Sequence, residues 1–172
     1  MSNEAWLNGK LDDFTPLTMP AAHALVQAIT DLERLAPHLS DEELLERPNN
    51  CSSIAFHLRH IAGSIDRLLT YSRGEELSET QLEWLNAEDN RSLDLDACKL
   101  VQKAVDEINN ALDALKNVAP ESLFEERFVG RGKLPTNVFG LLFHIAEHTA
   151  RHVGQTVTLA GIVQKRGNKL KQ

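Results

Sequence analysis

The amino-acid sequence predicts an all-α fold, a four-helix bundle of up-and-down-like order with one longer connection. Four long stretches carry apolar residues at spacings of three and four, which is the period of one face of a helix. Good helix formers dominate these stretches, and signals for strands are almost absent. Long amphipathic helices joined by shorter connections typically pack as a bundle, in which inward side chains form the ligand and metal sites.

The expected helix boundaries follow from prolines and capping residues. Pro20 lies in the first turn of the first helix, where a missing N–H costs little. Ser52 or Ser53 can cap the second helix, Pro120 ends the third, and Thr136 can cap the fourth. The four helices are therefore expected over residues 16–35, 53–71, 94–118 and 136–163.

The connections contain shorter elements. Ser40–Glu46 has the pattern of a capping box, and the acidic stretch 75–93 suggests a helical turn around an exposed Trp84. The acidic Glu75–Asp89 segment, with its exposed Trp84, could cover a second copy, so a homodimer is plausible. Residues 124–136 predict an extended excursion or loop, whose Arg127–Lys133 segment is either a solvated turn or a clamp for an anionic substrate. The basic tail, 164–172, is expected to fray.

Composition limits the classes of function. A chain of 172 residues fits one domain, expected over 1–172 with its core at about 16–163. The net charge of -7 argues against nucleic acid as a partner, since phosphate binding needs a basic face. No apolar run is long enough to span a membrane, and the polar N-terminus does not resemble a signal peptide. Two cysteines do not make a disulfide framework, so we expect a cytoplasmic protein.

Five of the seven histidines fall in two clusters. His144, His148 and His152 follow one another at spacings of four in the fourth helix, and His57 and His60 lie three apart in the second. Both spacings place the imidazoles on one face of a helix, beside its apolar stripe. Each cluster therefore faces the edge of the predicted core.

This pattern predicts a metal site. Two histidines four apart can bind one ion, and a third from a facing helix leaves a coordination position open, as in catalytic sites. Imidazole suits zinc, nickel, copper or iron(II) alike, so the ligand set does not name the metal. Among these ions we expect zinc or nickel. No glutamate follows His148 directly, so zinc peptidase chemistry is not supported. His144 and His152 are ~12 Å apart along the axis, so the spacing leaves open which pair binds.

An alternative reading needs no metal. The five histidines could be polar core residues, bonded to backbone carbonyls or to Glu147, Asp66 or Ser64. Asp66 itself lies on another face of the helix from His60, so we do not expect it to be a ligand. Cys98 falls in an apolar stripe and is expected to be a small core residue. Cys51, near a helix start, has no evident histidine partner.

Two segments resemble the DinB/YfiT-like metalloenzyme superfamily. Phe143–Gln155 is similar to the last-helix signature of that superfamily, a pair of histidines four apart followed by Gly-Gln, and Ser53–Leu69 is similar to its second-helix segment. The resemblance implies a DinB-like four-helix bundle with a divalent metal held by His60, His148 and His152. The sequence departs from the pattern at 51–53, where Cys-Ser-Ser replaces the usual aromatic residue.

The resemblance also implies a chemistry. Some members use low-molecular-weight thiols, so we expect a metal-dependent thiol S-transferase that acts on small electrophiles. His57 and His144 are extra to the metal set. They either line the same cavity, as proton relays whose pKa is near neutral when unperturbed, or are core histidines. Gln155 either orients His152 or lies on the surface. Two alternatives remain, a non-catalytic metal- or ligand-binding bundle related to stress and a structural helical protein without metal.

Overall fold

A computed structural model describes residues 4–90 and 96–170, with side chains to Gln164. Within these residues the long helices are joined by short helices, 3₁₀ turns and one β-hairpin, and the expected start of the third helix at 94 lies outside them. The α-helices are α1 Met19–Leu35, α2 Asp41–Leu45, α3 Ile54–Ser72, α4 Glu79–Ala87, α5 Ala97–Asn117 and α6 Val138–Leu170. The strands are β1 Glu126–Val129 and β2 Leu134–Asn137.

The four long helices α1, α3, α5 and α6 enclose the core. Both α5 and α6 pack against α1 and α3, so each apolar stripe is covered by two neighbours. Each long helix contributes a fully buried aliphatic side chain, namely Leu25, Ile61, Ile108 and Ile145. The prediction of an all-α fold is confirmed, and most positions of the stripes read from the sequence are buried, although Val157 and Ile162 of α6 are exposed.

Serine caps begin three of the helices. Ser40 and Ser78 each form a capping box, with Glu43 and Gln81 respectively, and the first of these was predicted. At the start of α3 the sequence left two candidates, and the structure selects Ser53, whose hydroxyl accepts the N–H of Phe56 at 3.2 Å. This cap sets where α3 begins and thereby the face on which its histidines lie.

The expected helical turn around Trp84 is the nine-residue helix α4. The expectation of an exposed Trp84 is wrong, because its ring is half-buried on α3 and its Nε1 donates to the carbonyl oxygen of Arg59 at 3.2 Å. The ammonium of Lys103, from α5, lies 3.9 Å from the centre of the ring. Helix α4 is thus fastened across the outside of α3.

The predicted extended excursion is an antiparallel hairpin with Arg127 opposite Thr136. Its turn contains Gly130 and Lys133 at positive φ. Arg127 donates from Nε to the carbonyl oxygen of Ser72 and forms an ion pair with Glu125. These contacts occupy its guanidinium, so they favour a structural role for Arg127 over a substrate clamp.

Two further expectations are corrected. Cys98 is exposed, since it follows the first residue of α5 on the outer face and not the buried one. Helix α6 continues to Leu170, past the expected end at Val163, so the backbone of the basic tail is helical for most of its length. Among the described residues, no helix combines the length and the apolar character needed to cross a membrane.

The cap of α3 gives a first prediction. Ser53→Ala should lower the free energy of unfolding by about 1 kcal/mol, because the N–H of Phe56 loses its acceptor. Ser52→Ala makes the same substitution one residue earlier, where the hydroxyl does not cap the helix. It should change the free energy of unfolding by less than about 0.5 kcal/mol. Urea unfolding followed by circular dichroism measures both. Equal losses in the two variants would contradict the assignment of the cap.

Candidate metal centre

The packing of α3 against α6 brings the two histidine clusters together. His60, His148 and His152 each offer one ring nitrogen, and these three atoms lie within 4.8 Å of one another. The Nε2 atoms of His60 and His148 are 2.9 Å apart. These are the three residues predicted as metal ligands, and the structure places them around one point.

Helix geometry accounts for this convergence. On α6, a step of four residues rises ~6 Å and keeps nearly the same face, which lets the rings of His148 and His152 lie against each other. Their centroids are 4.4 Å apart. The ring of His60 enters from α3 with its centroid 5.1 Å from that of His148 and 4.5 Å from that of His152. One helix thus supplies a pair and the facing helix supplies the third nitrogen.

The two extra histidines differ in position. His57 is buried, and its Nδ1 lies 2.9 Å from Nδ1 of His152, so one ring donates a hydrogen bond to the other. His144 lies on the exposed margin of α6, and its Nδ1 is 2.6 Å from Oε1 of Glu147. The structure therefore joins His57 to the cluster and leaves His144 at its edge.

Burial keeps most of the cluster uncharged. Desolvation, followed by the charge of His60, lowers the pKa of His57 to about 4 and that of His148 to about 4. The same causes lower the pKa of His152 to about 3. These rings are neutral at pH 7, which is the form that binds a metal. The pKa of an unperturbed imidazole is near neutral, and burial lowers the pKa of His57 well below that value.

A buried carboxylate that the sequence did not indicate lies behind His60. Glu88, just after α4, places Oε2 2.7 Å from Nδ1 of His60, and its Oε1 lies 2.8 Å from Nη1 of Arg67. Both charged residues are almost fully buried, with 3% of Glu88 and 8% of Arg67 exposed. The only sequence signal for Glu88 was its place in an acidic connection, where it is one of several carboxylates.

These residues fit a divalent ion. A carboxylate on Nδ1 holds the ring proton of His60 there and leaves the lone pair on Nε2, which faces His148. Among the described residues, Nδ1 of His148 is buried and without a hydrogen-bond partner. Three imidazoles, one of them held by a carboxylate, match the nitrogen donor set of a zinc-type site with an open position.

A second group of possible ligands is less suited to a metal. His144, Glu147 and His148 also bring three ligand atoms within 4.8 Å, but on the exposed side of α6. Arg151 binds both oxygens of Glu147, and this guanidinium and His144 hold the pKa of Glu147 below its usual range. An ion at this group would have to displace Arg151, so the buried set is the better candidate.

A cavity of about 660 Å³ adjoins the cluster at His57. Cys51, Arg151 and Gln155 line it, together with the apolar side chains of Leu159 and Ile162. Cys51 and His57 thus share one wall, which the sequence did not indicate. Gln155 is exposed on this wall, so the structure favours a cavity residue over a partner of His152. The carboxylate of Asp66 accepts a hydrogen bond from Nε2 of Gln81 and takes no part in the histidine cluster, as predicted.

The buried ion pair behind His60 gives a second prediction. Arg67→Ala should cost about 3–5 kcal/mol in the free energy of unfolding, because Glu88 keeps a buried charge without its partner. Arg34→Ala removes an exposed arginine that is 4.0 Å from Asp31 and should cost less than about 0.5 kcal/mol. Chemical denaturation of the metal-free protein measures both. Similar costs for the two would show that the Arg67–Glu88 pair contributes nothing.

Comparison with known proteins agrees with this arrangement. A family model of the DinB superfamily matches residues 24–156, a range that begins in α1 and includes all the histidines of the cluster. No curated protein matches the chain. Since the family match covers most of the sequence and most of the helical core, the chain belongs to the DinB superfamily.

Proposed function

We propose that His60, His148 and His152 bind one divalent metal ion, zinc or nickel. The observation that carries this proposal is the convergence of three ring nitrogens from α3 and α6 within 4.8 Å. Two further features support it, namely the buried carboxylate on His60 and the neutrality of His148 and His152 at pH 7. The DinB superfamily, to which the chain belongs, is often metal-binding.

Metal analysis of the purified protein tests the site. Protein prepared with zinc or nickel should retain about one ion per chain after desalting, and His148→Ala or His152→Ala should retain almost none. His144→Ala is the matched control, because it removes a third histidine of the same helix from outside the proposed set. It should retain metal as the unaltered chain does.

The same variants separate the two groups of possible ligands. Loss of metal in His144→Ala with retention in His152→Ala would place the ion at the exposed group. Absence of metal from the unaltered chain in metal-replete buffer would sink the proposal.

We infer further that the site serves a thiol S-transferase. When bound, a divalent ion lowers the pKa of a thiol that coordinates it, which makes the more nucleophilic thiolate available. The chain's own contribution is the cavity beside His57, where Leu159 and Ile162 offer an apolar wall for an electrophile and Arg151 offers a positive charge near the rim. The neutral, buried His57 separates this cavity from His152.

Spectroscopy of cobalt-substituted protein tests the thiol step. Adding 2-mercaptoethanol should produce a sulfur-to-metal charge-transfer band, which His60→Ala should lack. The S-methyl derivative of the same thiol is the control, because it cannot form a thiolate and should give no such band. An unchanged spectrum with every thiol tested would contradict the transferase assignment and favour the second candidate, a non-catalytic metal-binding protein.

Turnover separates the same two candidates. With 1-chloro-2,4-dinitrobenzene, the sulfur of the thiol attacks the ring carbon and chloride leaves. The thiol proton passes to water, because burial lowers the pKa of His57 to about 4. The transferase should consume thiol and electrophile in equal amounts, whereas a binding protein should leave the background rate unchanged. We expect His57→Ala to keep its metal but to turn over more slowly, since His57 contacts both His152 and the cavity.

A further inference from the structure

We propose that Glu88 is a positioning residue for His60, and that the seating of α4 on α3 controls how tightly the protein holds its metal. The proposal rests on the metal site proposed above. It assigns to α4, which contributes no ligand, the task of delivering a carboxylate to one. Three observations carry it, namely the geometry of Glu88, the notch at Gly63 and the short distance along the chain between Trp84 and Glu88.

The carboxylate of Glu88 contacts His60 through one oxygen and Arg67 through the other. Its Oε2 is hydrogen-bonded to Nδ1 of His60 at 2.7 Å. Its Oε1 lies 2.8 Å from Nη1 of Arg67, an ion pair without the geometry of a hydrogen bond. Only 3% of the residue is exposed. A carboxylate in this place fixes the proton on Nδ1 and the rotation of the ring, so Nε2 faces the other two histidines. Arg67 balances its charge, since an unpaired carboxylate would not remain buried.

The position of α4 depends on the lack of a Cβ at Gly63 of α3. A Cβ on Gly63 would lie 2.4 Å from Cδ1 and 2.5 Å from Nε1 of Trp84, and 2.7 Å from Nη1 of Arg67. Only glycine leaves room for the indole and the guanidinium at this point of α3. Gly63 therefore forms a notch that receives Trp84, and the bond from Trp84 to the carbonyl of Arg59 holds the indole there.

The contact between Trp84 and Gly63 lies close along the chain to the residues of the metal site, on α3 and at the end of α4 alike. Gly63 follows His60 by three residues on α3, and Glu88 follows Trp84 by four residues across the end of α4, about one helical turn in each case. A displacement of Trp84 is therefore transmitted to Glu88 through one rigid turn. Arg67 contacts Glu88 and also borders the notch, so a side chain at position 63 disturbs both supports of His60.

Metal affinity in four variants tests the proposal. Apparent dissociation constants for zinc, measured by competition with a chromophoric chelator, should rise about 10- to 100-fold in Glu88→Gln and Glu88→Ala. Gly63→Ala should raise the constant in the same direction. Gly161→Ala is the matched control, because it adds the same methyl group within a helix at a position with open space and should change nothing.

A double-mutant cycle separates positioning from general damage. If Gly63 acts through Glu88, then Gly63→Ala should weaken binding in the unaltered chain but add little in Glu88→Ala. The visible spectrum of bound cobalt should also change in both single variants, since the orientation of one ligand is altered, while far-ultraviolet circular dichroism stays unchanged. If Glu88→Ala loses its helical signal, the Glu88→Gln, Arg67→Met pair, which leaves no buried charge, is measured instead.

The failing outcomes are distinct. Zinc affinity within twofold of the unaltered chain in every folded Glu88 variant would overturn the role of Glu88. Fully additive losses in the cycle would overturn the role of the notch. An unaltered chain that binds no zinc would instead sink the proposed metal site, a result that the unaltered protein gives before any variant is made.

Discussion

The contact between α3 and α6 is the constraint on which the rest of the site depends. Each helix carries its histidines at the edge of its apolar stripe, so burying the stripes drives the imidazoles together as well. The hydrophobic core thereby supplies the energy that holds several polar rings in one place. Without metal the rings satisfy part of their hydrogen bonding through each other, as His57 does with His152 and His60 with His148.

Crowding imidazoles in a dry interior has an electrostatic consequence. Burial disfavours a positive charge on each ring, and a charge on a neighbouring ring disfavours it further, so His57, His148 and His152 all have a lowered pKa. The interior also holds the Glu88–Arg67 pair, in which opposite charges meet at 2.8 Å. The site thus combines His148 and His152, which are neutral at pH 7, with His60, which has the Glu88–Arg67 ion pair behind it.

The accessory elements around the helical core have separate tasks. Helix α4 packs on α3 through Trp84, and Glu88, the residue after the helix, contacts His60. The hairpin is tied to the end of α3 by Arg127 and lines no part of the cavity at His57. That cavity lies on the other flank of the cluster, between the start of α3 and the middle of α6. Glu88 therefore supports the histidine cluster from one side, and the cavity at His57 opens to it on another.

The sequence by itself determined the helices and the faces of the histidines. Helix periodicity and capping are local properties, so the stripes, the Ser40 capping box and the alignment of His148 with His152 followed from spacing alone. Spacing did not choose between the His144 and His152 pairs; the resemblance to a family made that choice, and the structure brings the chosen set together with His60.

Only the tertiary structure decided which groups from distant parts of the chain meet. Glu88 lies 28 residues from His60, and neither its burial nor its partner Arg67 has a local signature. Cys98 and Trp84 were misplaced for the same reason, since exposure depends on which neighbour covers a side chain. The lowered pKa of His57 likewise required its distance to His60 and its burial, which no pattern along one helix contains. Local geometry orients a side chain on its helix, but the packing of other helices determines what surrounds it.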